Sequence, residues 1–194
     1  MVLFVAPPVS QTLPCSHTEI PRLPSWYEDD GASYDAEAKG LSKKILIVDL
    51  DVHQGNGTAE IFKNDKSVYT FSMHGKSNYP FKKEQSDLDI ALDNDINDKD
   101  YLKILKSTLP RIIDMQNPDF IFYLCGVDVI ASDKLGKLGM TINGCKERDR
   151  FVLNQCKNNN IPVMCSMGGG YSPDIKTIVN AHANTFRLAQ EIFF

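Results

Sequence analysis

Short apolar runs alternate along this chain with longer segments of mixed character. The apolar runs lie at 44–50, 68–73, 120–125 and 163–167, and their length is typical of buried strands. The mixed segments lie at 58–63, 100–115, 145–158 and 175–192, and we predict a helix in each. Buried strands that alternate with amphipathic helices are typical of a parallel sheet covered on both faces. We therefore predict an α/β fold with three α/β/α layers and a mostly parallel sheet.

The first part of the chain follows neither pattern. Residues 1–36 are rich in proline and polar residues, which is typical of loop rather than of helix or strand. We therefore leave 1–36 unassigned as an irregular segment and place the folded domain at 37–194.

Composition excludes several classes of function. The 194 residues carry a net charge of −4 without a basic stripe, so we do not expect direct binding to nucleic acid. No apolar run approaches the ~18 residues of a membrane span, so we do not expect a membrane protein. The five cysteines show no regular spacing, which favours buried reduced thiols and a cytoplasmic location. Nothing in the pattern indicates an oligomeric state.

Potential metal ligands follow two of the predicted strands. Asp49, Asp51 and His53 come at the end of the first run, and Asp128 follows the third. On an extended backbone Asp51 and His53 would point to the same side, and in a parallel sheet sites lie beyond the carboxyl ends of the strands. Three protein ligands with an open position are typical of a catalytic zinc site. A buried Asp49 would need donors or a cation of its own.

A glycine-rich segment follows the fourth run and ends in Tyr171. Glycines at 168–170 would let the backbone approach a ligand where a Cβ would collide. The phenol of Tyr171 could donate a hydrogen bond to an oxyanion. Each motif also has an ordinary interpretation: a capped strand end for Asp51 and His53, a turn for Asp128, and a tight turn for the glycines.

Taken together, these motifs resemble the zinc-dependent histone deacetylases, from about residue 38 to the end. The carrying motifs are IVDLDVHQGNGTA at 47–59, FSMH at 71–74, NYPF at 78–81, SDLD at 86–89, CGVDV at 125–129 and MGGGY at 167–171. Gln54, where other members carry a second histidine, is similar to class IV and its bacterial relatives.

The resemblance implies a role for each matched position. It makes Asp51, His53 and Asp128 zinc ligands and Tyr171 the catalytic donor to the substrate carbonyl, and it places Gly169 and Gly170 in the substrate pocket. It makes Asp49 and Ser72 part of a structural potassium site. It implies the arginase/deacetylase fold and a hydrolase that removes acetyl groups from acetyl-lysine, in a histone or other protein, or from a small acylated amine.

One part of the family pattern is missing from this chain. The family carries a tandem histidine pair upstream of the metal motif, which serves as general base and acid. Here His17 is the only upstream histidine, so the chain resembles the C-terminal part of a deacetylase domain, truncated at its amino-terminal side. General acid–base catalysis contributes about 10²–10⁴-fold in rate, so we expect impaired activity.

Three other hypotheses stay open at this point. The chain could be a non-catalytic remnant that binds metal without turnover. It could be a phosphatase of the haloacid dehalogenase type, with Asp49 as nucleophile, although the glycines before Tyr171 would then have no role. A manganese ureohydrolase on a related fold would need more Asp and His motifs than the chain contains.

Overall fold

A computed structural model describes residues 2–5 and 42–194 of the protein. Its strands are β1 (Val2–Val5), β2 (Ile45–Asp49), β3 (Val68–Gly75), β4 (Leu88–Leu92), β5 (Phe120–Leu124) and β6 (Val163–Ser166). Its helices are α1 (Asn56–Phe62), α2 (Asp98–Gln116), α3 (Ile142–Asn158) and α4 (Ile175–Phe193). Each predicted strand and helix is therefore present.

The strands form one sheet in the order β1-β6-β5-β2-β3-β4. Neighbours pair in parallel, except that β1 runs antiparallel to β6 at the edge of the sheet. This confirms the predicted α/β fold with a mostly parallel sheet. Because β2 lies between β3 and β5 in the middle of the sheet, the loops after β2 and β5 leave the same edge side by side.

Two strands were not predicted. The edge strand β4 is mostly half-buried, and Asp89 interrupts its apolar pattern, so it lacks the continuous run of a central strand. The strand β1 lies within the segment that we left unassigned as irregular. Residues 6–41 lie outside the described part of the chain, so the boundary between 36 and 37 stays a prediction.

The two faces of the sheet bury different sets of side chains. On β2, Leu46 and Val48 join the main core, which contains residues of α2, α3 and α4. Ile45 and Ile47 point to the other face and pack with Phe62 of α1 in a smaller cluster. Side chains alternate along a strand, so one central strand contributes to both cores. This arrangement confirms the three predicted layers.

Side-chain caps begin the three long helices. Asn97 caps α2, and its side chain accepts a hydrogen bond from the amide of Asp100. Thr141 caps α3 and Asp174 caps α4 in the same way. The cap at Asp174 starts α4 only three residues after Tyr171. No helix within the described ranges is long and apolar enough to cross a membrane.

Candidate metal centre

The segment after β2 bends instead of continuing as an extended strand. The amide of Asp51 donates to Asp49 Oδ1 at 3.0 Å, and the amide of His53 donates to Asp51 Oδ1 at 2.9 Å. Each aspartate thus accepts from the backbone two residues further on, as in an Asx turn. The predicted extended path is wrong here, because these carboxylates compete with the sheet for backbone amides. The bend still brings His53 Nδ1 to 3.0 Å from Asp51 Oδ1.

Asp128 reaches the same place from the loop after β5. Its side chain is completely buried, and Oδ1 accepts a hydrogen bond from the amide of Val52 at 3.0 Å. Its Oδ2 lies 3.2 Å from His53 Nδ1. One ligand atom from each of Asp51, His53 and Asp128 lies within 4.8 Å of the others. Two adjacent strand ends therefore bring the three predicted ligands together.

The donor set fits a divalent metal. Asp128 Oδ2 is buried and lacks a hydrogen bond of good geometry, and its neighbour is the His53 ring nitrogen at 3.2 Å. A buried carboxylate oxygen without a partner is costly, and a cation at this position would satisfy it. One imidazole and two carboxylates suit Zn²⁺. The ligands Asp51 and His53 line a cavity of about 370 Å³, so one side of the group is open.

The charges of the site explain its titration. The neighbouring carboxylates, first Asp128 and then Asp51, raise the pKa of His53 to about 10 despite its partial burial. Burial raises the pKa of Asp128 to about 6, although His53 opposes this shift. Without metal, the His53 imidazolium therefore supplies the positive charge between two carboxylates. A metal ion would take over that charge and need the imidazole neutral.

Two glycines leave room for the carboxylates. A Cβ at Gly126 would lie 2.2 Å from Asp51 Oδ2, and a Cβ at Gly169 would lie 2.3 Å from Asp128 Oδ2. Gly169 also has a φ of 59°, which other residues rarely adopt. The structure thus places Gly169 against the predicted ligand Asp128, while its contact with substrate stays a prediction.

Tyr171 lies on the same loop, in a more open setting. Its amide donates to Asp133 Oδ2 at 2.6 Å, and its side chain is half exposed. Asp133 Oδ1 also accepts from the amides of Leu135 and Gly136. The Asp133 carboxylate therefore connects the loop that carries Tyr171 to the loop that follows Asp128. The catalytic role of Tyr171 stays a prediction.

The predicted potassium site combines two buried residues from neighbouring strands. Asp49 and Ser72 are register partners on β2 and β3, so they point to the same face. A Cβ at Gly55 would lie 2.4 Å from Asp49 Oδ2, so this carboxylate is closely packed. Ser72 Oγ is hydrogen-bonded to His74 Nδ1 at 3.0 Å, and burial lowers the pKa of His74. The potassium ion stays a prediction.

A buried ionic network behind the ligands escaped the sequence analysis. Arg148 and Asp149 of α3 are completely buried and paired, with Arg148 Nη2 2.8 Å from Asp149 Oδ1. Tyr123 and Thr185 donate to Asp149. A signal for this network was available. Both residues fall on the helical stripe that also holds Cys145, Val152 and Cys156, where a charged residue is unexpected.

Comparisons with known proteins agree with this geometry. Residues 31–186 match the family model of the histone deacetylase domain. An uncharacterized protein of a Picosynechococcus strain is 44% identical over 162 residues, which cover 84% of this chain and 54% of that protein. Histone deacetylase B of Dictyostelium discoideum is 34% identical over 142 residues, which cover 66% of this chain and 32% of that protein. The chain therefore spans about half, or less, of the length of these relatives.

Solved structures support the same fold. The HDA15 HD domain superposes with a TM-score of 0.69 at 27% identity, covering 82% of this chain and 48% of that one. An acetylpolyamine aminohydrolase from Burkholderia pseudomallei superposes with a TM-score of 0.70 at 19% identity, covering 83% of this chain and 49% of that one. The fold is thus the arginase/deacetylase fold.

Proposed function

Because this chain belongs to the histone deacetylase family, we propose that Asp51, His53 and Asp128 bind a zinc ion that serves the hydrolysis of an acetylated amine. The observation that carries the proposal is the convergence of three ligand atoms within 4.8 Å, one of them a buried oxygen of Asp128 that lacks a hydrogen bond. A divalent ion there would take over the positive charge that His53 supplies without metal.

Each residue of the proposed site has its own role in this reaction. A zinc ion, when bound, supplies Lewis-acid polarisation of the substrate carbonyl. Asp51, neutral His53 and Asp128 would hold the ion. The Tyr171 phenol donates to the carbonyl oxygen as negative charge develops there. Gly169 and Gly170 let the substrate lie close to the backbone. Asp49 and Ser72 would hold a potassium ion beside the ligand-bearing strand end.

The proposed substrate is an acetyl-lysine side chain of a histone or other protein, or a small acylated amine. The relatives support both, since one is named a histone deacetylase and a structural neighbour an acetylpolyamine aminohydrolase. We place the chain in the cytoplasm, which the four buried, unpaired thiols among the described residues support.

A non-catalytic metal-binding role is the second candidate, and the distribution of histidines favours it. Around the site cavity, the described lining residues contain His53 as their single histidine. His74 and His182 are buried and lie outside this lining, and His17 lies outside the described residues. A general base and acid contribute about 10²–10⁴-fold in rate, so we propose that this chain turns over slowly by itself.

The phosphatase hypothesis loses its nucleophile. Asp49 is only 4% exposed, and its Oδ1 accepts the Asp51 amide, so it cannot attack a phosphate in solvent. In the deacetylase interpretation the glycines before Tyr171 have a role. The phosphatase interpretation gives them none.

Zinc content and turnover, measured on the same samples, test the proposal. The purified chain is stripped with a chelator, reloaded, and analysed by elemental analysis and with an acetyl-lysine peptide. We expect one zinc per chain and slow turnover. We expect Asp128→Asn to weaken zinc binding at least about tenfold, and Tyr171→Phe to leave zinc in place while lowering any turnover about 10²-fold.

Asp93→Asn is the matched control, because Asp93 is a highly exposed carboxylate and its side chain lies outside the ligand group. Equal zinc occupancy in Asp128→Asn and Asp93→Asn would refute the ligand set. Zinc binding with no measurable turnover would select the non-catalytic alternative, and turnover at ordinary enzymatic rates would reject it.

A further inference from the structure

We infer that Arg148 is a positioning residue that locks the two ligand-bearing loops together before any metal binds. The inference rests on the proposed metal site, and adds to it a residue that is not itself a ligand. It concerns the backbone beneath the ligands, which the Asp128 side chain also joins at one point, through the Val52 amide.

The guanidinium of Arg148 joins the two loops directly. Its Nη1 donates to the carbonyl oxygen of Leu50 at 3.0 Å and to that of Gly126 at 2.7 Å. Leu50 immediately precedes Asp51, and Gly126 lies two residues before Asp128. One nitrogen on helix α3 therefore sets the separation of the backbone segments that lead to two of the ligands.

The other edge of the guanidinium is anchored on a second group. Arg148 Nε donates to Asp149 Oδ1 at 2.9 Å. Asp149 is in turn held by the Tyr123 hydroxyl on β5 at 2.5 Å and by the Thr185 hydroxyl on α4 at 2.7 Å. Because the guanidinium is planar, its fixed edge on Asp149 determines where Nη1 points. These hydrogen bonds of Arg148 and Asp149 thus connect the end of β2 with β5, α3 and α4.

Stability alone gives little reason for this buried pair. Replacing a buried ion pair by apolar residues of similar volume is often neutral or stabilising. Arg148 and Asp149 are both completely buried within an apolar helix face, next to Cys145 and Val152. A geometric role accounts for them better. By donating to the carbonyls of Leu50 and Gly126 together, Arg148 fixes the separation of the two ligand-bearing segments.

Cobalt binding by the full chain tests the inference. Co²⁺ is titrated into metal-free wild type, Arg148→Met, Arg148→Lys and Asp149→Asn, each well below its unfolding temperature. Outer partners of metal ligands typically contribute about 10–100-fold in metal affinity, and we expect a loss of this size in Arg148→Met, with an altered visible spectrum of bound Co²⁺. Arg148→Lys should have a Co²⁺ affinity between those of wild type and Arg148→Met, because an ammonium group lacks the planar fork of a guanidinium.

Two further variants separate positioning from plain stability. Asp149→Asn keeps an amide oxygen that can accept from Arg148 Nε, so the guanidinium stays oriented while the paired charge is lost. It should therefore lower the melting temperature but change Co²⁺ affinity less than about threefold. Arg150→Met is the matched control. Arg150 lies two residues further along the same helix and pairs with Glu191 at the surface, so both readouts should stay near wild type.

Each outcome decides a different statement. If wild type takes up no Co²⁺, the proposed metal site fails, and this inference with it. If wild type binds but Arg148→Lys and any folded Arg148→Met match it, the metal site stands and the positioning role is wrong. If Asp149→Asn weakens binding as much as Arg148→Lys does, Arg148 acts only through fold stability and the inference is overturned.

Discussion

The fold holds the two walls of the site in different ways. The ligand wall, made of Asp51, His53 and Asp128, is tied by hydrogen bonds between neighbouring strand ends, and Asp128 is fully buried. The tyrosine wall, made of residues 169–171, is held by the bond of the Tyr171 amide to Asp133 and by a contact of His182 Nε2 with the Gly169 carbonyl at 3.4 Å, and its Tyr171 side chain is half exposed. The proposed ligand group is therefore more firmly embedded in the fold than the proposed donor Tyr171. The ligand wall is complete within the described residues, whereas the tyrosine wall projects into solvent.

The largest expected effect is the pH dependence of zinc binding at the ligand wall. His53 has a pKa raised to about 10 by Asp128 and Asp51, so it is protonated at neutral pH in the metal-free site. Metal needs the neutral ring, so binding releases this proton, and apparent zinc affinity should rise about tenfold per pH unit between roughly pH 6.5 and 8.5. Competition with a calibrated chelator measures the slope.

Proton counting checks the same statement independently. Calorimetry in two buffers of different ionisation enthalpy should show about one proton released per zinc at pH 7.5. Imidazole ¹⁵N spectra of the metal-free chain should show His53 protonated at that pH. A neutral ring there would contradict the charge arrangement and leave the ligand wall with repelling carboxylates.

A methyl group added behind each wall should separate their functions. In Gly126→Ala the new Cβ would lie 2.2 Å from Asp51 Oδ2, so a ligand must move. We expect zinc affinity to fall about 10–100-fold and the free energy of unfolding to fall by about 1–3 kcal/mol. Chelator competition and thermal denaturation measure the two quantities.

Gly170→Ala is the counterpart on the tyrosine wall. Its Cβ would meet Ile178 at 2.9 Å, and the φ of 104° is strained for alanine, so stability should fall here too. Zinc affinity should change less than about threefold, because the strain lies away from the ligands. Equal losses of zinc affinity in the two variants would break the distinction between the walls.

The smallest expected effect tests the tether of the tyrosine wall. In Asp133→Asn an amide nitrogen can replace the oxygen that accepts the Tyr171 amide, so that hydrogen bond is lost. We expect faster hydrogen exchange at Tyr171 and a loss of about 0.5–1.5 kcal/mol in the free energy of unfolding. Zinc affinity should stay within about twofold of wild type. Unchanged exchange at Tyr171 would show that other contacts hold this wall.

Sequence patterns predicted the central sheet well, for an identifiable reason. Strands buried on both faces, such as β2 and β5, must be apolar throughout, and this makes them visible in the sequence. The edge strand β4 carries Asp89 and is half open to solvent, so its pattern is diluted. The proximity of Asp51, His53 and Asp128 was also predictable, because parallel strands end at a common edge.

What the sequence determined by itself was the kind of chemistry: two carboxylates and an imidazole at strand ends, and glycines where backbone must come close. The tertiary structure decided how those groups are held. Arg148 is 98 residues from Leu50 along the chain, and no local pattern records which carbonyl a buried guanidinium will bind. Likewise, the burial of Asp128 arises from packing between strands, because desolvation and hydrogen-bond partners depend on neighbours in space.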